Sequence, residues 1–183
     1  MLYRTHIASS LTLGTALIVV SDFPFSIGYV AGVVLGSLLP DIDEPNSYIG
    51  QRSFGLAHLV KKRFGHRGMT HSLLCWLGIS IICLFFSNPF TLGISIGYFF
   101  HLLGDLFSIS GIPLFAPFKK DKIKMWLRYR TGGVIEQIIF SASIILFLYL
   151  CLKEKRLMLE FWHSIEVLFT EIVTILKSVL LLM

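Results

Sequence analysis

Long apolar runs alternate with short polar breaks along the chain. Five of the runs approach the length that crosses a hydrocarbon core, about 20 residues with a lower limit near 17. They cover residues 5–20, 25–39, 69–86, 90–109 and 134–152. Only Ser21-Asp22-Phe23-Pro24 joins the first two, and only Ser87-Asn88-Pro89 joins the third and fourth. Pro and Asn mark turns, so each pair reads as a tight helical hairpin. In residues 157–183, polar Glu160, His163, Ser164, Thr170, Glu171, Thr174, Lys177 and Ser178 recur near a helical period. That stretch either lies in the membrane interface or packs as a sixth span with a polar stripe. The expected fold is all-α: a polytopic membrane helix bundle with five transmembrane helices plus a C-terminal amphipathic or sixth membrane helix. Residues 1–152 form the membrane-embedded unit and residues 153–183 the C-terminal helix.

Composition agrees with a lipid environment. Of 183 residues, 55% are hydrophobic and only 15% charged, against about 25% charged in soluble domains. A mean hydropathy of +0.76 and 16 Phe exclude a soluble domain of this size, which cannot hide so much apolar surface. A cleavable signal peptide does not suit the first run, because no small-x-small site follows it and more spans come after. Cys75, Cys83 and Cys151 all fall inside apolar runs without metal or redox spacing, as buried reduced thiols do.

The net charge of +5 changes the picture through its placement. The bases sit between apolar runs, where they act as topology signals rather than as a nucleic-acid surface. Two hairpins put the N-terminus and residues 40–68 and 110–133 on one side. That side holds Arg4, Arg52, Lys61, Lys62, Arg63, Arg67, Lys119, Lys120, Lys122, Lys124, Arg128 and Arg130; only Lys153, Lys155 and Arg156 fall opposite, with Lys177 undecided. By the positive-inside rule the basic side is cytoplasmic. On it, Leu56, Leu59, Val60 and Phe64 recur at helical spacing beside Lys61, Lys62 and Arg63, as in a short helix lying on anionic lipid. Trp126 and Tyr129 suit the headgroup level.

The ionisable residues near the spans gather at the same face. His6 opens the first span, and Asp41 and Asp43 close the second in Pro40-Asp41-Ile42-Asp43. His66 and His71 flank the start of the third, His101 and Asp105 close the fourth, and Glu136 opens the fifth. Singly, each could cap a helix or snorkel into headgroups. Together, four carboxylates and several imidazoles at one rim would repel or remain unsatisfied, and a divalent metal resolves that conflict. Imidazole and carboxylate suit zinc, manganese or iron. His101 and Asp105, at i and i+4, share a helix face, and Pro40 and Pro45 let both Asp41 and Asp43 turn inward. Gly28, Gly32 and Gly36, and likewise Gly93 and Gly97, step by four residues toward the two ligand pairs. Such small-xxx-small faces let helices approach closely in lipid, so the second and fourth spans are expected to pack along them.

The motifs Leu39-Pro40-Asp41-Ile42-Asp43-Glu44-Pro45-Asn46-Ser47, Gly65-His66-Arg67-Gly68-Met69-Thr70-His71-Ser72, His101-Leu102-Leu103-Gly104-Asp105 and Gly111-Ile112-Pro113-Leu114 together resemble the YdjM-type family of predicted inner-membrane, metal-dependent hydrolases. The resemblance runs from about His6 to Glu136 and leaves the C-terminal helix outside. Phe107-Ser108 stands where relatives often have Leu-Thr. The resemblance implies a bacterial inner-membrane location, multi-pass with a cytoplasmic N-terminus, and metal-binding roles for Asp41, Asp43, His66, His71, His101 and Asp105, with His6 and Glu136 beside them. The His-x-x-x-Asp pair is also similar to that of zinc-dependent phospholipase C proteins, which favours a phosphoester substrate.

The expected function is metal-dependent hydrolysis of a phosphoester in a lipid or lipid-linked substrate at the cytoplasmic surface, with one or two divalent ions, zinc or manganese. The ion acidifies a bound water, and Glu136 or a non-ligating Asp takes its proton. Arg67 suits bidentate contact with phosphate, with Arg128 and Arg130 as further substrate-binding bases. Thr70 or Ser72 caps the third helix. Membrane lipids are the expected partners, and no nucleic acid is. Two alternatives stay open: a non-catalytic membrane protein with a structural metal site or docking role, and a transporter, which lacks its usual midplane carboxylates here.

Overall fold

The computed structural model describes residues 1–21, 23–65, 67–119 and 121–181, and these fold as seven α-helices with three 3-10 turns. The first hairpin is α1 (Tyr3–Val19) and α2 (Ile27–Leu38). A short surface helix α3 (Leu56–Phe64) precedes the second hairpin, α4 (Leu73–Phe86) and α5 (Pro89–Leu106). Helices α6 (Val134–Lys153) and α7 (Lys155–Leu181) complete the chain. Two isolated bridges, Ser108 to Tyr129 and Ile112 to Ile123, fold the segment before α6 back over the end of α5.

Local chemistry sets the helix ends. The Ser26 hydroxyl accepts from Tyr29 N to start α2, and the Ser72 hydroxyl accepts from Cys75 N to start α4. Asn88 and Thr91 cap α5 reciprocally, with Pro89 at its first position, where the missing N–H costs nothing. At Pro40 α2 gives way to the 3-10 turn Leu39–Asp43, which carries both aspartates out of the helix. Gly55 and Gly65, both at positive φ, bound α3, whose Leu56, Leu59 and Phe64 are exposed as the amphipathic pattern requires.

The most extensive helix contact is between α2 and α5, along the two glycine ladders. A Cβ on Gly32 would overlap the Phe90 carbonyl, one on Gly36 the Ile94 carbonyl, one on Gly93 the Tyr29 carbonyl and one on Gly97 the Val33 carbonyl. Those obstacles are backbone and cannot swing aside. Gly28 is different, since a Cβ there would meet Phe90 at an ordinary 3.8 Å. Thr12 Oγ1 donates across to the Ser143 carbonyl at 2.7 Å and ties α1 to α6.

Polar side chains turn inward and apolar ones outward over much of the bundle. Ile81, Ile82, Leu84, Phe85 and Phe86 of α4 and Ile138, Ile145, Leu148 and Leu152 of α6 are exposed, while Thr5, Ser10, Thr12, Thr15 and Ser37 are buried. Exposed apolar area on that scale marks a lipid or partner surface. Among the described residues, α6 is the one helix both long and apolar enough to cross a bilayer by itself; α4 is apolar but has 14 residues. Helix length therefore does not by itself carry the expected five crossings: α2 has 12 residues, about 18 Å at 1.5 Å per residue, because Pro40 ends it early.

Of the polar stripe of α7, Glu160 and Ser164 reach the bundle, while His163, Thr170, Glu171, Thr174, Lys177 and Ser178 are exposed. Glu160 accepts from Phe25 N at 2.8 Å and Ser164 from Ile27 N at 2.9 Å, so two free amides at the start of α2 are satisfied. Arg156 donates to the carbonyls of Ile18 and Ser21 at the end of α1. Beyond Ser164, Phe169, Leu176 and Leu180 are exposed.

Candidate metal centre

The chain breaks at Pro40 and before α4 deliver aspartates and imidazoles to the end of α5. The two imidazole Nε2 atoms face each other and one oxygen each of Asp41 and Asp105 there. His71 Nε2 lies 3.4 Å from His101 Nε2, 3.5 Å from Asp41 Oδ1 and 3.7 Å from Asp105 Oδ2. His101 Nε2 lies 3.8 Å from Asp41 Oδ1 and 4.0 Å from Asp105 Oδ2. A tetrahedral ion with bonds of about 2.0–2.1 Å needs donor–donor edges of about 3.3–3.4 Å, which His71 Nε2 approaches with His101 Nε2 and Asp41 Oδ1 and which the edges to Asp105 exceed. His71, His101 and Asp105 are fully buried, whereas the Asp41 side chain is 17% exposed and forms the open side.

The opposite ring nitrogens are held as metal-ligating histidines require. The Ser37 carbonyl lies 2.6 Å from His101 Nδ1 and accepts its N–H, which leaves Nε2 for a metal. Asp43 Oδ2 lies 3.2 Å from His71 Nδ1 and accepts from Thr70 Oγ1 at 2.5 Å. Asp43, expected to face the metal, is therefore placed behind His71 and orients its ring. Thr70 in turn is held by Tyr98, whose hydroxyl donates to the Thr70 carbonyl. Burial alone would raise the Asp41 carboxyl, but His101, the hydrogen bond to His71, and His6 hold it below the usual carboxylate range.

His6 stacks on His101 with ring centroids 3.6 Å apart and planes 9° apart, and its Nε2 lies 3.5 Å from Asp105 Oδ1. Both His6 nitrogens are buried without a hydrogen-bond partner, whereas Asp105 Oδ2 faces the Arg67 guanidinium at 2.9 Å. Unsatisfied buried donors and acceptors call for a partner, and a cation answers the free lone pair of the His6 imidazole. Two groups of three, His71, His101 and Asp105, and His6, Asp41 and His101, converge closely enough to hold an ion. The donor set thus fits a metal, with His101 common to both groups.

The remaining expected residues fall into distinct places. Arg67, at a positive φ of 52°, puts Nη2 2.9 Å from Asp105 Oδ2 and donates through Nη1 to Ser108 Oγ at 3.2 Å. Its guanidinium therefore braces a candidate ligand. Arg67 also lines a cavity of about 390 Å³ with Arg63, Phe64, Met69, Pro113 and Lys122. The Met1 amine reaches Asp105 Oδ1 at 3.0 Å. Glu136 is buried, but its oxygens accept from Leu2 N and Gly132 N, each at 2.5 Å. It clamps the start of α6 to the start of α1. Arg128 lines an apolar groove beside α5, and Arg130 is exposed at the turn into α6. Tyr129, expected at the headgroups, is 4% exposed and donates to the Gly104 carbonyl at 2.8 Å, whereas Trp126 is 94% exposed. Ser72 caps α4 as expected, and Thr70 serves Asp43 instead. His66 lies outside the described residues.

Sequence reading missed Ser37, Tyr98 and Ser108. Tyr98 precedes His101 by three positions, on the face of α5 that carries the ligand; Ser37 acts through its carbonyl, which no side-chain pattern reveals.

Buried polar groups at one end of an otherwise apolar-faced helical bundle define a membrane protein with a candidate metal centre. The profile described as YdjM inner membrane protein matches residues 1–180, and the chain belongs to that family. It is similar to the inner membrane protein YdjM of Escherichia coli (strain K12), 36% identical over 95 residues, 48% of each chain. The same figures hold for the protein of that name from Shigella flexneri. The matched region thus spans about half the length of those relatives. An uncharacterized protein of Bacillus subtilis (strain 168), YvsG, is 31% identical over 140 residues, 75% of this chain and 86% of that protein. No solved structure matches.

Proposed function

We propose that the protein is a membrane-bound, metal-dependent hydrolase that cleaves a phosphoester in a lipid or lipid-linked substrate at the cytoplasmic face. The observation that carries this reading is the convergence of His71 and His101 with Asp41 and Asp105, in which each imidazole turns Nε2 toward the carboxylates and Nδ1 to an acceptor. In the proposed topology the helices cross the membrane in hairpins and the N-terminus is cytoplasmic, which places this end among the basic loops.

A divalent zinc or manganese ion bound there supplies a Lewis acid that polarises a phosphoryl oxygen and acidifies water. His71, His101 and Asp105 hold it from the buried side. Asp41, the exposed member, would complete the donor set on the open side. Asp43 keeps His71 in one tautomer, and Arg67 fixes Asp105 while its charge favours an anionic substrate in the neighbouring basic cavity. Glu136 holds α1 and α6 in register behind them.

One observation favours a structural ion instead: four protein donors facing one another are the closed arrangement of non-catalytic zinc sites. Activity separates the two. Purified protein supplied with manganese or zinc is expected to release phosphate or a headgroup from a member of a lipid panel, and Asp105→Ala to abolish release. Metal-replete protein inactive on the whole panel would favour the structural ion.

A further inference from the structure

Gly104 stands between two features. It precedes Asp105, and a Cβ on it would lie 3.6 Å from His6 Cε1, against the candidate metal centre. It also lines a groove of about 340 Å³ between α1, α5 and α6, with Leu13, Leu103, Ile139 and Arg128 among the walls. The walls are almost wholly hydrocarbon, and Arg128 is the charged group among them. Across Asp105, Arg67 lines the second cavity, of about 390 Å³, with Arg63 and Lys122. The residue before Asp105 thus lines the apolar groove, and the arginine paired with Asp105 lines the basic cavity.

We propose that the groove between α1, α5 and α6 receives one hydrocarbon tail of an anionic bilayer lipid, whose phosphate-bearing head reaches the cavity of Arg63, Arg67 and Lys122. The head–tail junction then lies between Gly104 and Arg67, the two residues that adjoin Asp105. This rests on the hydrolase reading and narrows its substrate to a lipid bound through its tail as well as its head. The groove's volume is near the lower end of ligand pockets, roughly 300–1,000 Å³, which suits one tail. Charge complementarity identifies the occupant: Arg128 on the groove and three bases in the cavity select an anionic head, while the groove itself offers a neutral tail nothing but apolar contact. A peptide chain would leave its backbone polar groups unpaired there.

The test uses the full chain in phosphatidylcholine vesicles doped with a phosphatidic acid that carries a diazirine in one tail. After illumination, mass spectrometry maps the adducts. Leu13, Leu103 and Ile139 are expected to be labelled several-fold more than the exposed Ile81, Ile82 and Phe85 of α4. Leu13→Trp with Ile139→Trp fills the groove and should erase that excess, with helical circular dichroism and monodisperse elution unchanged. Arg63→Gln with Lys122→Gln should lower groove labelling several-fold for phosphatidic acid and leave that of a phosphatidylcholine probe unaltered. Equal labelling of α4 and the groove, or a tryptophan variant labelled like the parent, overturns the proposal. Groove labelling without phosphate release from any lipid upholds the groove and contradicts hydrolysis; release with uniform labelling does the reverse.

Discussion

Helices α2 and α5 meet backbone to backbone, whereas α7 touches the body through its first turns and leaves its later apolar residues exposed. The difference teaches where precision is needed. At the α2–α5 contact Gly32, Gly36, Gly93 and Gly97 let carbonyls approach where any side chain would collide, and both helices end in candidate ligands. Without that approach Ser37 could not reach the ring of His101. Along α7 the neighbours required are lipid or interface, which tolerate many side chains.

The largest effect is expected at the tight contact. Gly32→Leu or Gly97→Leu must displace a facing backbone carbonyl and should cost at least about 3 kcal/mol, with loss of bound metal; thermal unfolding in detergent and metal analysis check both. Normal metal content in both variants would break the link between the glycine ladder and the site. Asp43→Asn should weaken zinc binding about 10- to 100-fold by loosening the His71 ring, measured by competition with a chelating dye; an unchanged affinity would return Asp43 to a role independent of His71. Glu136→Gln presents an amide NH₂ to one of two backbone donors and should lower stability by about 1–2 kcal/mol. If Glu136 instead moves the proton, catalysis would fall with no change in unfolding. The smallest effect is expected on α7, where Leu176→Ala should stay within about 0.5 kcal/mol. A larger loss would show that the far half of α7 is packed as closely as α5.

Much of this contrast was legible in the sequence, because apolar runs, turn residues and four-residue glycine steps act locally. His6, Asp41, His71, His101 and Asp105 could be brought to one end by hairpin topology alone. What hairpins cannot specify is the direction a side chain takes after the helix stops. Asp43 turns back to His71 because the 3-10 turn at Pro40 rotates it away from Asp41, and Glu136 is taken by the amides of Leu2 and Gly132. Arg67 finds Asp105 through a left-handed backbone conformation that a non-glycine residue rarely adopts. The loop over α5 depends on pairings between Ser108 and Tyr129 and between Ile112 and Ile123, and neither partner carries a sequence signal for the other.

The central claim is that the inward-facing imidazoles and carboxylates form a metal site. Its most direct test is elemental analysis of the full chain purified in detergent after growth with zinc and manganese. The account predicts at least one divalent ion per chain, lost in His71→Ala and in His101→Ala and retained in His163→Ala on α7. Folded protein without metal, or equal metal content in all three variants, would contradict it.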